Sequence, residues 1–344
     1  MSRLTNVTEN HHEHRVFIFT EGGREFGLGH VTRCCALYDE LVEKEIETLL
    51  IINGNEEVAR VTEDRKYVLD SWYGKAEMYL KDCPYAIVDS YKANLDDYEE
   101  IAHKSKKAMY IDDTGRLEYP HGIIVNPSIH GDKVLYNKRS RQNYLLGKEY
   151  VILRKEFRKP YQRNLKERVE NVLVTMGGSD IKNVTPKIIE AILKKMARDI
   201  RLHVVVGSGF NRLEVEQYGK TDKIDLYYNL RASELRDLMI KCDVAITAAG
   251  QTTYELIAMQ LPFVCIMTAD NQKNNVKGLQ KYGLIDEVVD YTQEDELFKA
   301  FEAFTESLEG INRRRHIITL MSKFDITKGT RNVVGELMED CSAL

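Results

Sequence analysis

Short apolar runs recur along the chain, each closed by turn-forming or polar residues and followed by a segment of helical periodicity. In the first half they cover residues 16–19, 49–52, 85–88, 108–111 and 123–125. In the second half they cover 172–175, 202–206, 226–228, 244–247 and 263–266. The runs are continuous rather than alternating, the pattern of strands covered on both faces. Between the first two, Val31, Cys34, Leu37, Tyr38 and Leu41 fall at helical spacing. Alternating strand and helix predicts βα units on parallel sheets, an α/β fold. The pattern breaks at 154–168, a polar stretch containing Pro160. Beyond about residue 290 only helical periodicity remains, over 294–308, 311–320 and 328–338. No internal repeat of fixed period interrupts this order. The expected architecture is two Rossmann-like domains, residues 1–153 and 169–344, joined by a linker at 154–168 and ending in a helical tail.

A length of 344 residues accommodates two domains. With 43% hydrophobic and 30% charged residues and a net charge of −5, the composition is that of a globular protein. It gives no general reason to expect nucleic acid or an anionic membrane as partner. The charge is uneven: residues 138–168 hold 11 Lys and Arg against three Glu. Without interleaved stacking aromatics, that stretch reads as a solvated linker rather than a nucleic-acid surface. The six cysteines form no C-x-x-C pair and mostly sit in apolar segments, as buried reduced thiols do. Together with an N-terminus lacking a signal-peptide core and no stretch of 18 apolar residues, this predicts a cytoplasmic protein.

The loop after the first strand run, 21–30, ends in Gly27-Leu28-Gly29-His30 and opens a helix. Glycines there let a ligand approach the backbone, but the dinucleotide fingerprint fails because Thr32 stands where the third glycine belongs. No Walker A sequence is present. His30 falls in the first helical turn, where the helix dipole disfavours imidazolium, so it should be neutral and able to accept a proton. Capping the helix is its alternative role. Glu21, Asp89 and Asp113 each end or follow a strand run at the same edge, and any of them could orient the imidazole. Arg33, one turn beyond His30, could contact substrate or neutralise a carboxylate.

Two further turns open helices in the second half. Gly177, Gly178 and Ser179 follow one strand run, and Gly250, Gln251, Thr252 and Thr253 follow another, with Glu255 a turn further on. Such turns cradle phosphates, although each alone also serves as a cap. Glu255 could accept ribose hydroxyls, and Asn271 and Gln272 could reach a sugar or cap the next helix. Together they predict that this half holds a nucleotide. The segment His11–His14 contains three histidines before the first strand run and reads as an arm rather than a metal site. Neither Asp96-Asp97 nor Asp112-Asp113 has the D-x-D spacing of a metal-dependent transferase, so no metal or cofactor is expected.

Taken in order, these motifs resemble one family. They are Gly27-x-Gly-His30-x-x-Arg33, Val-Asp89-Ser-Tyr91, Ile-Asp-Asp113, Val-Asn126-Pro, the 147–157 stretch, Met-Gly177-Gly178-Ser179-Asp180, Ala-Gly250-Gln251-Thr252-Thr-Tyr-Glu255 and Asn271-Gln272. The chain is similar over about residues 15–340 to UDP-2,4-diacetamido-2,4,6-trideoxy-β-L-altropyranose hydrolases of pseudaminic acid biosynthesis and to spore-coat polysaccharide proteins. The resemblance implies a GT-B-like fold, with UDP on the C-terminal domain and the sugar across the cleft. It implies that His30 activates water, that Tyr91 lies in the active site and that Glu255 sits in the nucleotide-gripping segment. Gly27, Gly29, Arg33, Asp89, Asn126, Asn271 and Gln272 would then line the sugar. The chain departs from the family's Arg-x-Asp before the glycine loop, having Phe19-Thr20-Glu21 instead. The expected reaction is metal-independent, inverting attack of water at C1, releasing UDP from an amino or deoxy sugar. A UDP-sugar glycosyltransferase and a non-catalytic nucleotide-sugar-binding protein are the alternatives.

Overall fold

Each of the ten apolar runs forms a strand, and among the described residues the strands lie in two parallel sheets. The structure is a computed structural model that describes residues 15–24, 26–81, 85–133, 136, 142–178, 180, 182–195, 200–207, 209–285, 288–291 and 310–339. The first sheet contains β1 (Arg15–Gly22), β2 (Glu47–Gly54), β3 (Tyr67–Leu69), β4 (Tyr85–Asp89), β5 (Lys107–Ile111), β6 (Ile123–Asn126) and β7 (Asn143–Leu146), in the order β3-β2-β1-β4-β5-β6-β7. The second contains β8 (Asn171–Thr175), β9 (Arg201–Val206), β10 (Ile224–Tyr228), β11 (Val244–Ala248), β12 (Phe263–Met267) and β13 (Val288–Asp290), in the order β10-β9-β8-β11-β12-β13. Every strand pair is parallel. In both sheets the order reverses beside the first strand, at β1/β4 and at β8/β11, and such a switch point opens a crevice at the strands' carboxyl ends.

The strands that the apolar pattern misses, β3, β7 and β13, are short edge strands. An edge strand needs no continuous apolar run, because only part of it is covered. Central β1 shows the opposite case. Its Val16 and Ile18 pack with Leu37 and Leu41 on one face, while Phe17 and Phe19 pack with Trp72 and Tyr98 on the other. Each such side chain contributes about 1.5–3 kcal/mol by burial.

The helices of the first half are α1 (Gly29–Glu43), α2 (Ala59–Thr62) and α3 (Leu95–Lys104). Those of the second half are α4 (Val184–Lys195), α5 (Arg212–Glu216), α6 (Ala232–Lys241), α7 (Thr252–Ala258) and α8 (Lys273–Lys281). Two more follow, Ile311–Lys323 and Gly329–Met338. The segments 294–308 and 11–14, with Cys83 and Cys341, lie outside the described residues. The tail divides between the sheets rather than staying with the second. Ile317 and Met321 join the second sheet's core, whereas Val333, Val334 and Leu337 join the first's beside α1. Gly329 permits this return, since a Cβ there would lie 2.1 Å from the Val151 carbonyl oxygen.

Much of the basic stretch is solvated, as expected of a linker, but three of its arginines are anchored. The Arg158 guanidinium donates to Glu40 on α1 at 2.8 Å and to the carbonyl oxygens of Leu153 and Ala36. Arg163 donates to the carbonyl oxygens of Met239, Cys242 and Met259. Arg154 forms a two-bond fork with Glu255 at 2.7 and 2.9 Å. Its arginines satisfy helix ends and buried carboxylates, so the stretch is a strap bound to both halves. Elsewhere, the loop after β6 docks on the second half. Gly278 of α8 lies against it so closely that a Cβ would meet Ile129 at 2.6 Å, and the Ile129 N–H donates to Tyr254 Oη at 3.4 Å. The carboxyl ends of β6, β11 and β12 therefore meet at one seam.

Candidate active site

The β1/β4 switch point gathers a chain of charges. Asp89, the last residue of β4, is fully buried. Its Oδ1 accepts the His30 Nδ1–H at 2.7 Å and Arg33 Nη2–H at 2.7 Å, and its Oδ2 accepts Arg33 Nε–H at 2.8 Å. The other arm of Arg33 reaches both oxygens of Asp113 at 2.8 and 2.9 Å. Tyr91 completes the chain, donating its Oη–H to Asp113 at 2.9 Å. The Tyr91 ring stands edge-on to His30, with centroids 4.5 Å apart. Spacing dictates part of this arrangement, because His30 and Arg33 share a face of α1 one turn apart.

Of the three carboxylates that could orient His30, the structure selects Asp89. A carboxylate only accepts, so the proton sits on Nδ1 and the lone pair on Nε2. Among the described residues Nε2 has no hydrogen-bond partner, and the side chain keeps 11% exposure. The charge of His30 is not governed by the helix dipole, as the sequence suggested it would be. Burial disfavours its charge, but the Asp89 carboxylate outweighs burial and raises the pKa above 6.5. The helix dipole loses to a carboxylate in contact. His30 does not cap α1, whose N-cap is Leu28. Burial likewise opposes charge on Asp89, yet Arg33 and His30 hold its carboxyl well below the usual range. Burial and the Asp113 carboxylate push the Tyr91 phenol up, so it stays protonated. Arg33 neutralises carboxylates, the second of its two expected roles.

Glu21, at the end of β1, holds other groups. Its Oε2 accepts from Tyr73 Oη at 2.6 Å and from Ser90 Oγ, and its Oε1 accepts the Tyr91 N–H at 2.8 Å. Buried to 1% exposure, it offers no contact to a sugar. Gly27, with φ +72°, and Gly29 leave open space where a Cβ would stand, so backbone lines the site beside His30.

At the second switch point Gly177, Gly178 and Gly250 also face open space, and Gly177 has φ +83°. The helix beyond the first of these turns begins only at Val184. Asp180 accepts the N–H groups of Val184 and Thr185 at 2.8 and 2.7 Å, so the expectation that this helix end would face a phosphate is corrected. What faces the opening is the Gly177-Gly178 turn itself; Ser179 lies outside the described residues. Gly207, at the end of β9, backs this turn so closely that a Cβ would lie 2.5 Å from the Gly178 carbonyl oxygen. Thr252 begins α7, and Thr253 returns its hydroxyl to the Gly250 carbonyl oxygen at 2.7 Å.

Several expected contacts have other partners. Both Glu255 oxygens are held by Arg154, so Glu255 clamps the strap instead of offering itself to a ribose. Gln251 donates to the Ile152 carbonyl oxygen. Asn126 is fully buried, accepting from the Ser128 N–H at 3.1 Å and donating to Tyr136 Oη at 3.1 Å; it shapes a turn rather than lining a sugar. Gln272 accepts the Thr268 N–H at 2.8 Å and so holds the loop after β12 without capping α8 through its side chain, while Asn271 is exposed. Sequence reasoning missed Ser90, Tyr73, Gly207 and Asn275. Asn275 is buried on α8 and donates to the Ala249 carbonyl oxygen at 2.9 Å and to Thr253 Oγ1 at 3.0 Å. A glycine directly after a strand run was the available signal for Gly207. Tyr254 on α7, with its phenol pushed up to about 12 by burial, lies within electrostatic reach of Asp113 and Arg33. A separate cavity of about 610 Å³ lies at the β10 edge, lined by Lys220, Leu226 and Tyr227 among others, and holds none of these residues.

Two parallel Rossmann-like sheets meeting at their carboxyl ends define a GT-B-like protein. Solved structures bear out this class. MurG of Acinetobacter baumannii superposes with a TM-score of 0.65 over 95% of this chain and 99% of that one, at 14% identity. MnaA of S. aureus, solved with UDP, gives 0.62 over 96% and 98%, at 11% identity. The family model described as lipid-A-disaccharide synthetase matches residues 150–271. In sequence, the chain is 28% identical over 279 residues to an uncharacterized protein of Methanocaldococcus jannaschii, covering 75% of this chain and 57% of that one. It is 27% identical over 261 residues to the Helicobacter pylori protein named pseudaminic acid cytidylyltransferase and UDP-2,4-diacetamido-2,4,6-trideoxy-beta-L-altropyranose hydrolase, covering 75% and 45%. It is 25% identical over 282 residues to the spore coat polysaccharide biosynthesis protein SpsG of Bacillus subtilis, covering 78% and 81%. The chain thus spans about half the length of the first two relatives. The motif resemblance stands: relatives carry both the hydrolase and the spore-coat names. No helix among the described residues is long and apolar enough to cross a membrane.

Proposed function

We propose that this chain hydrolyses a UDP-linked amino or deoxy sugar, with water attacking the anomeric carbon and inverting it. The observation that carries the reading is the Asp89–His30 pair at the β1/β4 switch point, with Nδ1 held and Nε2 unengaged. In this reading His30 Nε2 takes a proton from water as its oxygen bonds to C1. The bond from C1 to the UDP oxygen breaks, and its electron pair leaves with UDP. General-base assistance of this kind is worth about 10²–10⁴-fold. Arg33 keeps Asp89 ionised and ties it to Asp113, and the Tyr91 ring stands edge-on to the imidazole. UDP is a good leaving group that needs no protonation, and backbone at Gly177, Gly178 and Gly250 would receive its diphosphate.

The division of labour follows from the two switch points: water and His30 in the first half, UDP in the second, with residues 154–168 strapping them together. The proposed reaction uses no metal or cofactor, and its partners are the UDP-sugar and water, not nucleic acid or membrane. A cytoplasmic location completes the proposal, in keeping with the buried free thiols of Cys34, Cys35, Cys242 and Cys265. Purified protein should release UDP from the UDP-sugar without an added acceptor. His30→Ala should abolish turnover while UDP affinity stays within about threefold. Loss of UDP affinity would make His30 a binding residue, and UDP release only with an acceptor would make the chain a transferase.

A further inference from the structure

We propose that Glu21 is a positioning residue, whose buried carboxylate sets the Ser90–Tyr91 turn and thereby places the Tyr91 ring against His30. The inference rests on the hydrolase reading above, in which His30 and Tyr91 flank the reacting centre.

Glu21 is 1% exposed, and among the described residues it forms no salt bridge. A buried carboxylate without a cation is costly unless hydrogen bonds satisfy it. Three do, from Tyr73 Oη, Ser90 Oγ and the Tyr91 N–H. Two of these donors have no alternative. The backbone N–H of Tyr91 can only donate. Ser90 Oγ already accepts the N–H groups of Lys92 at 3.1 Å and Ala93 at 2.9 Å, so both lone pairs are committed and its proton must go to Glu21. One fixed donor thus faces each carboxylate oxygen. A carboxylate accepts on both; a carboxamide of the same shape accepts on one and presents N–H groups to the other.

The turn held this way carries Tyr91, whose Oη donates to Asp113 at 2.9 Å and whose ring stands 4.5 Å from His30. Arg116 secures the turn's other side, donating to the carbonyl oxygens of Ser90 and Ala93 at 3.1 and 3.0 Å. Glu21 therefore touches neither His30 nor the reacting atoms, but fixes the backbone from which Tyr91 reaches both His30 and Asp113.

Glu21→Gln tests this in the full chain. Turnover is expected to fall about 10²-fold through misplacement of Tyr91, with UDP affinity within about twofold of wild type. In a Tyr91→Ala background the same substitution should cost less than about threefold, because its effect passes through Tyr91. An activity-independent arm reads the His30 ring-proton resonance by NMR. Glu21→Gln should move it in the same direction as Tyr91→Ala, since both take an aromatic ring away from the imidazole. If Glu21→Gln does not fold, Ser90→Ala, which removes one donor, should produce a smaller shift of the same sign. Additive losses of turnover, or a His30 resonance that Tyr91→Ala moves and the Glu21 and Ser90 variants do not, overturn the proposal. Should wild type cleave no UDP-sugar, the hydrolase reading fails and the NMR arm alone decides the Glu21–Tyr91 link.

Discussion

Asp89→Asn removes one negative charge from a fully buried site and leaves the shape unchanged. Asp89 accepts three charge-assisted bonds, one from His30 and two from Arg33. The carboxamide can present an N–H to His30 Nδ1, which places the imidazole proton on Nε2 and leaves no lone pair facing water. Turnover should fall about 10²–10⁴-fold, equivalent to about 3–5 kcal/mol of barrier. Arg33 keeps Asp113, so the variant should still fold, with a loss of about 3 kcal/mol for a broken buried pair. The pH dependence supplies the sharper test. His30 must be unprotonated to act as base, and Asp89 raises its pKa above 6.5. Wild-type kcat/KM should therefore rise with pH through that raised value and then level off. In Asp89→Asn burial and Arg33 both oppose the charge, so the acid limb should move to lower pH while the plateau drops. The same linkage has a stability counterpart: His30's contribution is fully present below about pH 6.5 and is lost as pH rises through its raised pKa, whereas that of Asp89, whose pKa is lowered, is lost as pH falls through the acid range. A variant that retains more than about a tenth of the wild-type plateau, with an unmoved acid limb, would refute the reasoning.

Three more outcomes follow from particular contacts. Gly207→Ala would drive a Cβ toward the carbonyl oxygens of Gly178 and Gly177, at 2.5 and 2.7 Å; UDP affinity by calorimetry should drop about tenfold or more, about 1.4 kcal/mol, and unchanged affinity would remove UDP from that turn. Arg154→Ala leaves the Glu255 carboxylate buried without its cation, so thermal or denaturant unfolding should show a loss of about 3 kcal/mol. Rates of UDP release should be equal with and without EDTA, and loss of activity restored by a divalent cation would contradict the metal-free mechanism.

The core of both sheets was legible because central parallel strands must be apolar on both faces, as β1 shows with Val16 and Ile18 against Phe17 and Phe19. Edge strands β3, β7 and β13 carry no such requirement and left no comparable run. The positions of His30, Asp89, Arg33 and Asp113 at one sheet edge could be read from strand ends and helical spacing, and Tyr91 from the family resemblance. Their pairing could not. Glu21, Asp89 and Asp113 all stand at or just beyond strand ends, and the sheet face separates the first two: Glu21 follows Phe17 and Phe19 on the face away from α1, whereas Asp89 follows Tyr85 and Ile87 on the face against which α1 packs. The direction in which the His30 pKa moves was not legible either, since a contact carboxylate overrides a helix dipole. In the second half a glycine turn was a readable signal, but partners such as Arg154 for Glu255 lie 101 residues apart and have no local signature.

The account's central claim is that water, activated by His30, attacks the anomeric carbon. Turnover of the UDP-sugar in ¹⁸O-labelled water, with the products analysed by mass spectrometry, tests it most directly. The account predicts label in the free sugar and none in UDP. Label in UDP would place the attack at phosphorus and contradict it.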